Sequence, residues 1–370
     1  MVKGVYIHIP FCSYKCPYCD FLSLTNSPIS REDYLELLKK EISLYKDAPT
    51  RIETVYFGGG TPTLLKPKEI GKVLEELDRV FGLSSVKEIT IECNPETYRK
   101  KEFKEVRELG VNRISIGGQS FTEKGLKALG RRHSVKDTYE CIESAFSSGI
   151  ENLSVDLIFG WSGQTLRDLE EDLKAVSSLP LKHLSWYLLT PYEETPLGEE
   201  ILRGRVGVPS EEELTKMHAF ISEGLKELGF KRYEISNWAK EGWECRHNLL
   251  YWKMEEFLGF GVSAWGFVGE ERYGNTRSIL KYQDFLRKGQ KPVEHKVKLD
   301  EVEKEKERIM LALRLTEGLP KEYERFIPEH VREFFEIGDR VRIKEEHFLV
   351  SNELISEVLR EFERSFIRSK

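Results

Sequence analysis

Cysteine is scarce in this chain, with six residues in 370. So thin a supply excludes the disulfide framework of a small secreted domain. Methionine is scarcer still, at four. No apolar run is long enough to span a membrane, and no transit-like segment precedes the first strand. Basic excess is also missing: 57 Lys and Arg face 63 Asp and Glu, a net charge of -6. That balance lacks the footprint of a nucleic-acid binder. Neither GxGxxG nor GK[ST] occurs, which removes the dinucleotide fingerprint and the P-loop. The chain has no internal repeat and no low-complexity segment. These absences leave a cytoplasmic protein of a reducing compartment. Its length suits one large domain plus a smaller one.

What is present is concentrated. Three of the six cysteines fall in Cys12-Ser13-Tyr14-Lys15-Cys16-Pro17-Tyr18-Cys19, a CxxxCxxC run. Three thiolates this close can cap three irons of a cubane [4Fe-4S] cluster and leave the fourth iron open. An open coordination position is where a metal centre does chemistry. Zinc is the competing metal, but a closed structural site needs a second ligand pair. Cys93, Cys141 and Cys245 are scattered singles, and His8 sits in the strand before the loop. That strand, Gly4–Ile9, alternates in polarity, and an aromatic, Tyr18, stands beside the last cysteine. Strand, cysteine loop and aromatic together resemble the radical S-adenosylmethionine (SAM) superfamily.

Short β-rich runs alternate with amphipathic helical runs along most of the chain. Strands are expected at Val5–Ile9, Thr54–Phe57, Glu88–Cys93, Arg113–Ile116, Leu153–Phe159 and His183–Leu189. Helices are expected at about Arg31–Tyr45, Pro67–Phe81, Tyr98–Leu109, Val135–Ser148 and Thr165–Ser178. Repeated strand–helix units argue for a parallel sheet with right-handed crossovers, an α/β fold. Six units suit a partial (β/α)6 TIM-type barrel, the number that the resemblance also implies. A helix at Glu211–Leu228 and a strand near Tyr233–Ser236 would extend it. From Glu301 the order changes to helices at Glu301–Thr316 and Glu329–Ile337. Short strands at Arg340–Lys344 and His347–Val350 and a helix at Glu353–Phe366 follow. This reads as a small winged-helix-like α+β unit, suited by its mixed charge to packing or partner docking rather than DNA. The expected division is a barrel at 1–240, a connecting segment at 241–300 and the C-terminal unit at 301–370.

Functional groups of a parallel barrel gather at the carboxyl ends of its strands. Gly58-Gly59-Gly60-Thr61-Pro62 follows the second expected strand, where glycines let a backbone approach a ligand. The third ends in Glu92-Cys93-Asn94-Pro95 and the fourth in Gly117-Gly118-Gln119-Ser120-Phe121. Arg131 lies in Gly130-Arg131-Arg132-His133, and an inward arginine suits a carboxylate ligand. Asp156 interrupts the apolar fifth strand, a costly placement unless it is paired or functional. Each has a bland counterpart, such as a helix cap or a structural hydrogen bond. Their order and spacing together are similar to the oxygen-independent coproporphyrinogen III oxidase family and its haem-chaperone relatives, over nearly the whole chain. The resemblance implies a SAM pocket lined by Tyr6, Tyr18, Gly59, Gly60, Thr61, Glu92, Gln119, Arg131 and Asp156, with Thr190 at the end of the sixth strand. It also implies Cys12, Cys16 and Cys19 as cluster ligands, with SAM chelating the open iron through its amino and carboxylate groups. One electron from the cluster then cleaves SAM to methionine and a 5′-deoxyadenosyl radical.

Two branches of that family differ in function. The oxidase typically carries an extension before the first strand and a further cysteine two residues after the last ligand. Here the strand begins almost at Met1, and Phe21 occupies that position. Both features match the haem-chaperone branch. So does Cys245-Arg246-His247-Asn248-Leu249-Leu250-Tyr251-Trp252, which carries that branch's HNxxYW signature. His247 is then a candidate axial ligand for haem iron, Cys245 a thiolate alternative, and Tyr251 and Trp252 candidates to pack against a porphyrin. The bland reading is a helix start with two buried aromatics. Departures from the family include Gly118, Trp161-Ser162 and Trp265, the last at a position often held by His. The implied partners are haem as cargo, a haem-accepting protein of the respiratory class, and an electron donor such as flavodoxin or ferredoxin. Nucleic acid is not among them, and any membrane association is peripheral. The competing function is an anaerobic coproporphyrinogen III dehydrogenase.

Overall fold

A computed structural model describes residues 1–368 of the chain. Its centre is six parallel strands, adjacent in chain order: β1 (Val2–Ile9), β2 (Thr50–Gly59), β3 (Glu88–Cys93), β4 (Arg113–Gln119), β5 (Asn152–Phe159) and β6 (His183–Leu188). The crossovers carry α1 (Arg31–Ser43), α2 (Pro67–Phe81), α3 (Lys100–Glu108), α4 (Glu123–Ala128), α5 (Val135–Ser147) and α6 (Leu166–Ser178). Helices cover the outer face of these strands, which is apolar, while the inner face carries polar side chains into the barrel. β5 shows the pattern, with Leu153, Val155, Leu157 and Phe159 buried on the outer face and Ser154, Asp156 and Ile158 on the inner one. Side-chain caps fix where several helices start: Ser30, Ser134 and Thr165 accept from the backbone of α1, α5 and α6. The parallel register sets Tyr6 beside Tyr56, Glu92 beside Ser115 and Asp156 beside Ser185. Successive strands therefore aim their polar side chains at one level of the barrel.

The sheet extends past these six strands on both sides, to twelve in all. After α7 (Pro196–Leu202) and α8 (Glu211–Glu227), β7 (Lys231–Arg232) and β8 (Asn237–Ala239) pair antiparallel beyond β6. The strand expected at Tyr233–Ser236 is a turn between these two. Glu234 there makes a single bridge, to Leu315. On the opposite side α9 (Arg246–Trp252) leads to β9 (Phe257–Phe260), which lies parallel to β1. An antiparallel meander follows: β10 (Trp265–Val268), β11 (Glu271–Asn275) and β12 (Val293–Lys298), with α10 (Ile279–Arg287) between the last two. The segment 241–300 is thus a structural extension of the main sheet.

The C-terminal unit holds α11 (Glu301–Ala312), a small antiparallel sheet and α12 (Ser351–Arg368). In that sheet β15 (Arg340–Ile343) lies between β13 (Leu319–Pro320) and β14 (Phe335–Ile337). It has its own core, including Ile309, Leu319, Val341 and Val358, separate from that of the barrel. Two expected elements change here. The helix expected over Glu329–Ile337 is a 3-10 segment ending at Phe334, after which β14 begins. The strand expected at His347–Val350 is the end of a 3-10 turn over Glu345–Val350. In short segments packed on both sides, tertiary contacts override local periodicity.

Candidate functional site

The cysteine loop leaves β1 and folds across the carboxyl ends of the strands. Short backbone hydrogen bonds pin it to the neighbouring glycine turn: Gly60 N–H donates to Ile9 O at 2.7 Å and Thr61 N–H to Phe11 O at 2.8 Å. A Cβ on Gly60 would lie 2.7 Å from the Phe11 carbonyl oxygen, so only glycine permits this approach. From the other side Gly130, at φ +66°, abuts the Pro17 ring, which a Cβ would meet at 2.7 Å. The loop is clamped between two glycines.

Between this loop and the strand ends lies a cavity of about 400 Å³. Cys12, Cys16 and Cys19 line it, as do Tyr18, Gly59, Gly60, Thr61, Glu92, Gln119, Arg131, Asp156 and Thr190. Of the residues expected around SAM, Tyr6 alone does not line this cavity. Its ring stacks on Tyr56 with centroids 6.2 Å apart, and its hydroxyl pairs with His8 Nδ1 at 3.1 Å. Tyr56 in turn donates to Glu92 Oε1 at 2.8 Å, so Tyr6 lies behind that carboxylate.

Arg131 is the hub of the cavity wall. Its guanidinium donates to Cys16 Sγ at 3.2 Å, to Asn94 Oδ1 at 3.1 Å and to the Gly117 carbonyl at 3.1 Å. Its Nε is buried and has no protein partner. Glu92 accepts from Tyr56 and from Gly59 N–H at 3.2 Å, yet burial, and then the nearby Asp156 carboxylate, push its pKa up to about 7. Asp156 accepts from Ser115 Oγ at 3.1 Å, and burial raises its carboxyl as well. Gln119 has φ +66°, unusual for a residue with a side chain. Strain of this kind concentrates at ligand sites.

The donor set fits an iron–sulfur cluster. Cys12 Sγ sits 3.3 Å from Thr61 Oγ1, and Cys16 is 9% exposed on the cavity wall. Among the described residues no three His, Cys, Asp or Glu side chains are arranged to hold a single ion. The three thiols instead share one wall, with the unpartnered Arg131 Nε and two carboxylates beyond them. That spread of cationic and anionic groups suits a zwitterionic amino acid on an open iron. Sequence reasoning did not single out Asn94, Ser115, Tyr187 or Tyr192 as lining residues. Asn94 stood in a quoted motif, whereas Ser115 and Tyr187 are brought in by strand register and Tyr192 by the loop after β6.

The HNxxYW segment lies elsewhere. His247 is fully buried: Nδ1 pairs with Thr54 Oγ1 at 2.7 Å, Nε2 with Tyr251 Oη at 2.6 Å, and the ring stacks on Tyr56. Burial, with Arg113 nearby, lowers its pKa to about 3, so it is neutral. Cys245 is buried too, its thiol pushed up to about 12. The Glu88 carboxylate caps α9, accepting from the N–H groups of Arg246 and His247 at 3.0 and 3.1 Å. Trp252 faces the side away from Tyr251, beneath Arg314. Tyr251 reaches the second cavity, described below, whereas Trp252 lines a different one.

Comparison with known proteins agrees with this geometry. Residues 6–176 match the model of the radical SAM superfamily. The chain is 35% identical to "Heme chaperone HemW" of Bacillus subtilis over 325 residues, covering 86% of this chain and 85% of that one. It is 36% identical to the protein of the same name from Buchnera aphidicola, covering 79% and 81%. The structure superposes on coproporphyrinogen III oxidase (HemN) from Escherichia coli with a TM-score of 0.79. That match is 18% identical and covers 98% of this chain and 90% of the other. The three thiols at the barrel mouth, the shared fold and the level of identity together place this chain in the HemW family of the radical SAM superfamily.

Proposed function

We propose that this protein is a haem chaperone: it holds a [4Fe-4S] cluster on Cys12, Cys16 and Cys19, binds SAM beside it, and carries haem to an acceptor protein. One observation carries the reading. In a chain of the HemW family, three thiols, Arg131 and two strand-end carboxylates face one cavity. When bound, the cluster supplies a one-electron reductant with one open iron.

The chain's own residues do the rest. Arg131, with an unsatisfied Nε, offers a donor for a ligand carboxylate. Glu92, at the end of β3, offers an acceptor for a ligand ammonium beside the Gly59–Gly60 backbone. Asp156 and Gln119 present polar atoms from within β5 and at the end of β4. Below this layer a buried polar network, with Thr54 against His247 and Arg113 and Ser154 against His183, closes the floor of the barrel. Phe21, 65% exposed, stands at the cavity rim in place of the extra cysteine of the oxidase branch.

The test is made anaerobically on cluster-loaded protein with SAM and a reductant, beside a competent oxidase. The expected result is haem binding, read as a Soret titration, with no conversion of coproporphyrinogen III to protoporphyrinogen IX. Turnover of coproporphyrinogen would overturn the chaperone reading in favour of the dehydrogenase.

A further inference from the structure

A second cavity, of about 610 Å³, opens between the sheet extension and α11. It falls within the size range of small-molecule sites. Trp265 and Phe267, two residues apart on β10, project from the same face of the sheet into it. Tyr251 and Met254 close it below, and Met310 and Leu311 of α11 form the facing wall. Two of the chain's four methionines therefore stand in this one cavity. Trp265 faces it directly.

The wall is apolar and aromatic, but it is not neutral. Arg272 packs over the Phe267 ring at 5.0 Å and pairs with Glu307 across the cavity at 2.5 Å. Its Nε is buried without a partner. Arg277 is exposed at the mouth and, among the described residues, makes no ion pair. Of the acidic side chains in the wall, Glu307 is taken by Arg272 and Glu255 by Lys3 at 2.9 Å, leaving Asp20 at the rim. A flat aromatic slot with thioether donors inside and guanidinium groups at its edge has the chemistry of a planar metalloporphyrin with carboxylate arms. Asp20 and Phe21 line this cavity and the cluster cavity alike, so the two sites adjoin.

Resting on the chaperone reading, we propose that the haem cargo occupies this second cavity, its propionates toward Arg272 and Arg277 and its ring against Trp265 and Phe267. His247 is then a positioning residue behind the wall, holding Tyr251 through the Nε2 hydrogen bond.

Haem b and haem dimethyl ester are titrated into cluster-loaded protein and followed at the Soret band. Arg277→Glu is expected to weaken haem by about tenfold, the scale of one lost charge-assisted hydrogen bond. Arg277→Lys is expected to restore most of the affinity. The ester, lacking carboxylates, should bind the parent protein about tenfold more weakly than haem and ignore Arg277→Glu. Met310→Trp, which fills the cavity, should abolish binding of both. Iron content and SAM binding, read in parallel, should stay unchanged in every variant. Parent-like haem affinity in both Arg277→Glu and Met310→Trp would overturn the cavity while leaving the chaperone reading intact. A parent protein that binds no haem at all would overturn both.

Discussion

Gly130 shows how much of the cluster site depends on one missing methyl group. It sits in the left-handed region with the Pro17 ring where a Cβ would go. Gly130→Ala should cost about 1–3 kcal/mol through backbone strain alone. The substitution should also push the Cys16–Cys19 end of the loop away from Arg131. The expected outcome is a lower melting temperature and reduced iron per chain after reconstitution; full loading at unchanged stability would contradict the clamp. Cys16→Ser should remove the thiolate beside Arg131 and with it most of the bound iron and the visible cluster absorption, since a hydroxyl is a poor iron ligand at this position. Iron content and electron paramagnetic resonance of the reduced protein check this. Both effects belong to single atoms, and neither requires the barrel to change.

At the scale of elements, Glu41 joins three of them. From α1 its buried carboxylate accepts from Gly261 N–H at 2.7 Å, Asn275 Nδ2 at 2.5 Å and Tyr282 Oη at 2.6 Å. It thereby ties α1 to the turn after β9, the end of β11 and α10. Burial is the main cause that raises its pKa from 4.5 to about 7, against the lowering effect of those donors. The folded pKa lies above the unfolded one, so the associated stability is fully present below about 4.5 and is lost as pH rises through about 7. The destabilisation caused by Glu41→Gln should therefore shrink by about 2–3 kcal/mol between pH 5 and pH 8, measured by denaturant unfolding at each pH. A pH-independent difference would mean that Glu41 is not held in this way. This staple also marks the limit of what the sequence discloses. The six central strands and most helices match their expected bounds within a few residues, because both faces of each strand are covered and the helices carry side-chain caps. The place of Glu92, Gln119 and Asp156 on the cavity wall was legible because parallel register brings their strands to one level, and that of the thiols and Arg131 because the loops after β1 and α4 carry them there. The strands of the 241–300 segment were not legible. β9, β10 and β11 are four or five residues long and interrupted by Gly259, Gly266 and Gly274, leaving no alternation to read. The surroundings of His247 were not legible for a related reason: its chemistry is visible in sequence, but its burial between Thr54 and Tyr251 comes from long-range packing.

At the scale of the whole molecule two bodies, each with its own core, meet along a mixed apolar and polar seam, where Ile235 packs against the C-terminal core and Leu349 against that of the barrel. Arg232 is central to it. Buried at 7% exposure, its guanidinium donates to the Glu345 carbonyl at 3.2 Å, His218 Nε2 at 2.8 Å and Ser222 Oγ at 3.0 Å. It also lies over Trp238 and Phe348 at 4.3 and 5.3 Å. Arg232→Ala leaves those acceptors without their donor and opens space between two aromatic rings, at a cost of about 2–4 kcal/mol. The loss should fall on the docking of the C-terminal unit rather than on the barrel. Hydrogen exchange should rise first in α11, α12 and the strands between them, with the six central strands still protected. Uniform loss of protection would argue against two bodies. The ends of the twelve-stranded sheet carry a different consequence. At one end β7 is two residues long; at the other, β12 reads Val-Glu-His-Lys-Val-Lys, with Glu294, His295, Lys296 and Lys298 exposed. Open strand edges invite pairing with other chains, and brevity or charge blunts that tendency. Both ends of this sheet are blunted, so among the described residues its edges offer neighbouring chains no flat apolar ribbon on which a fibre could grow.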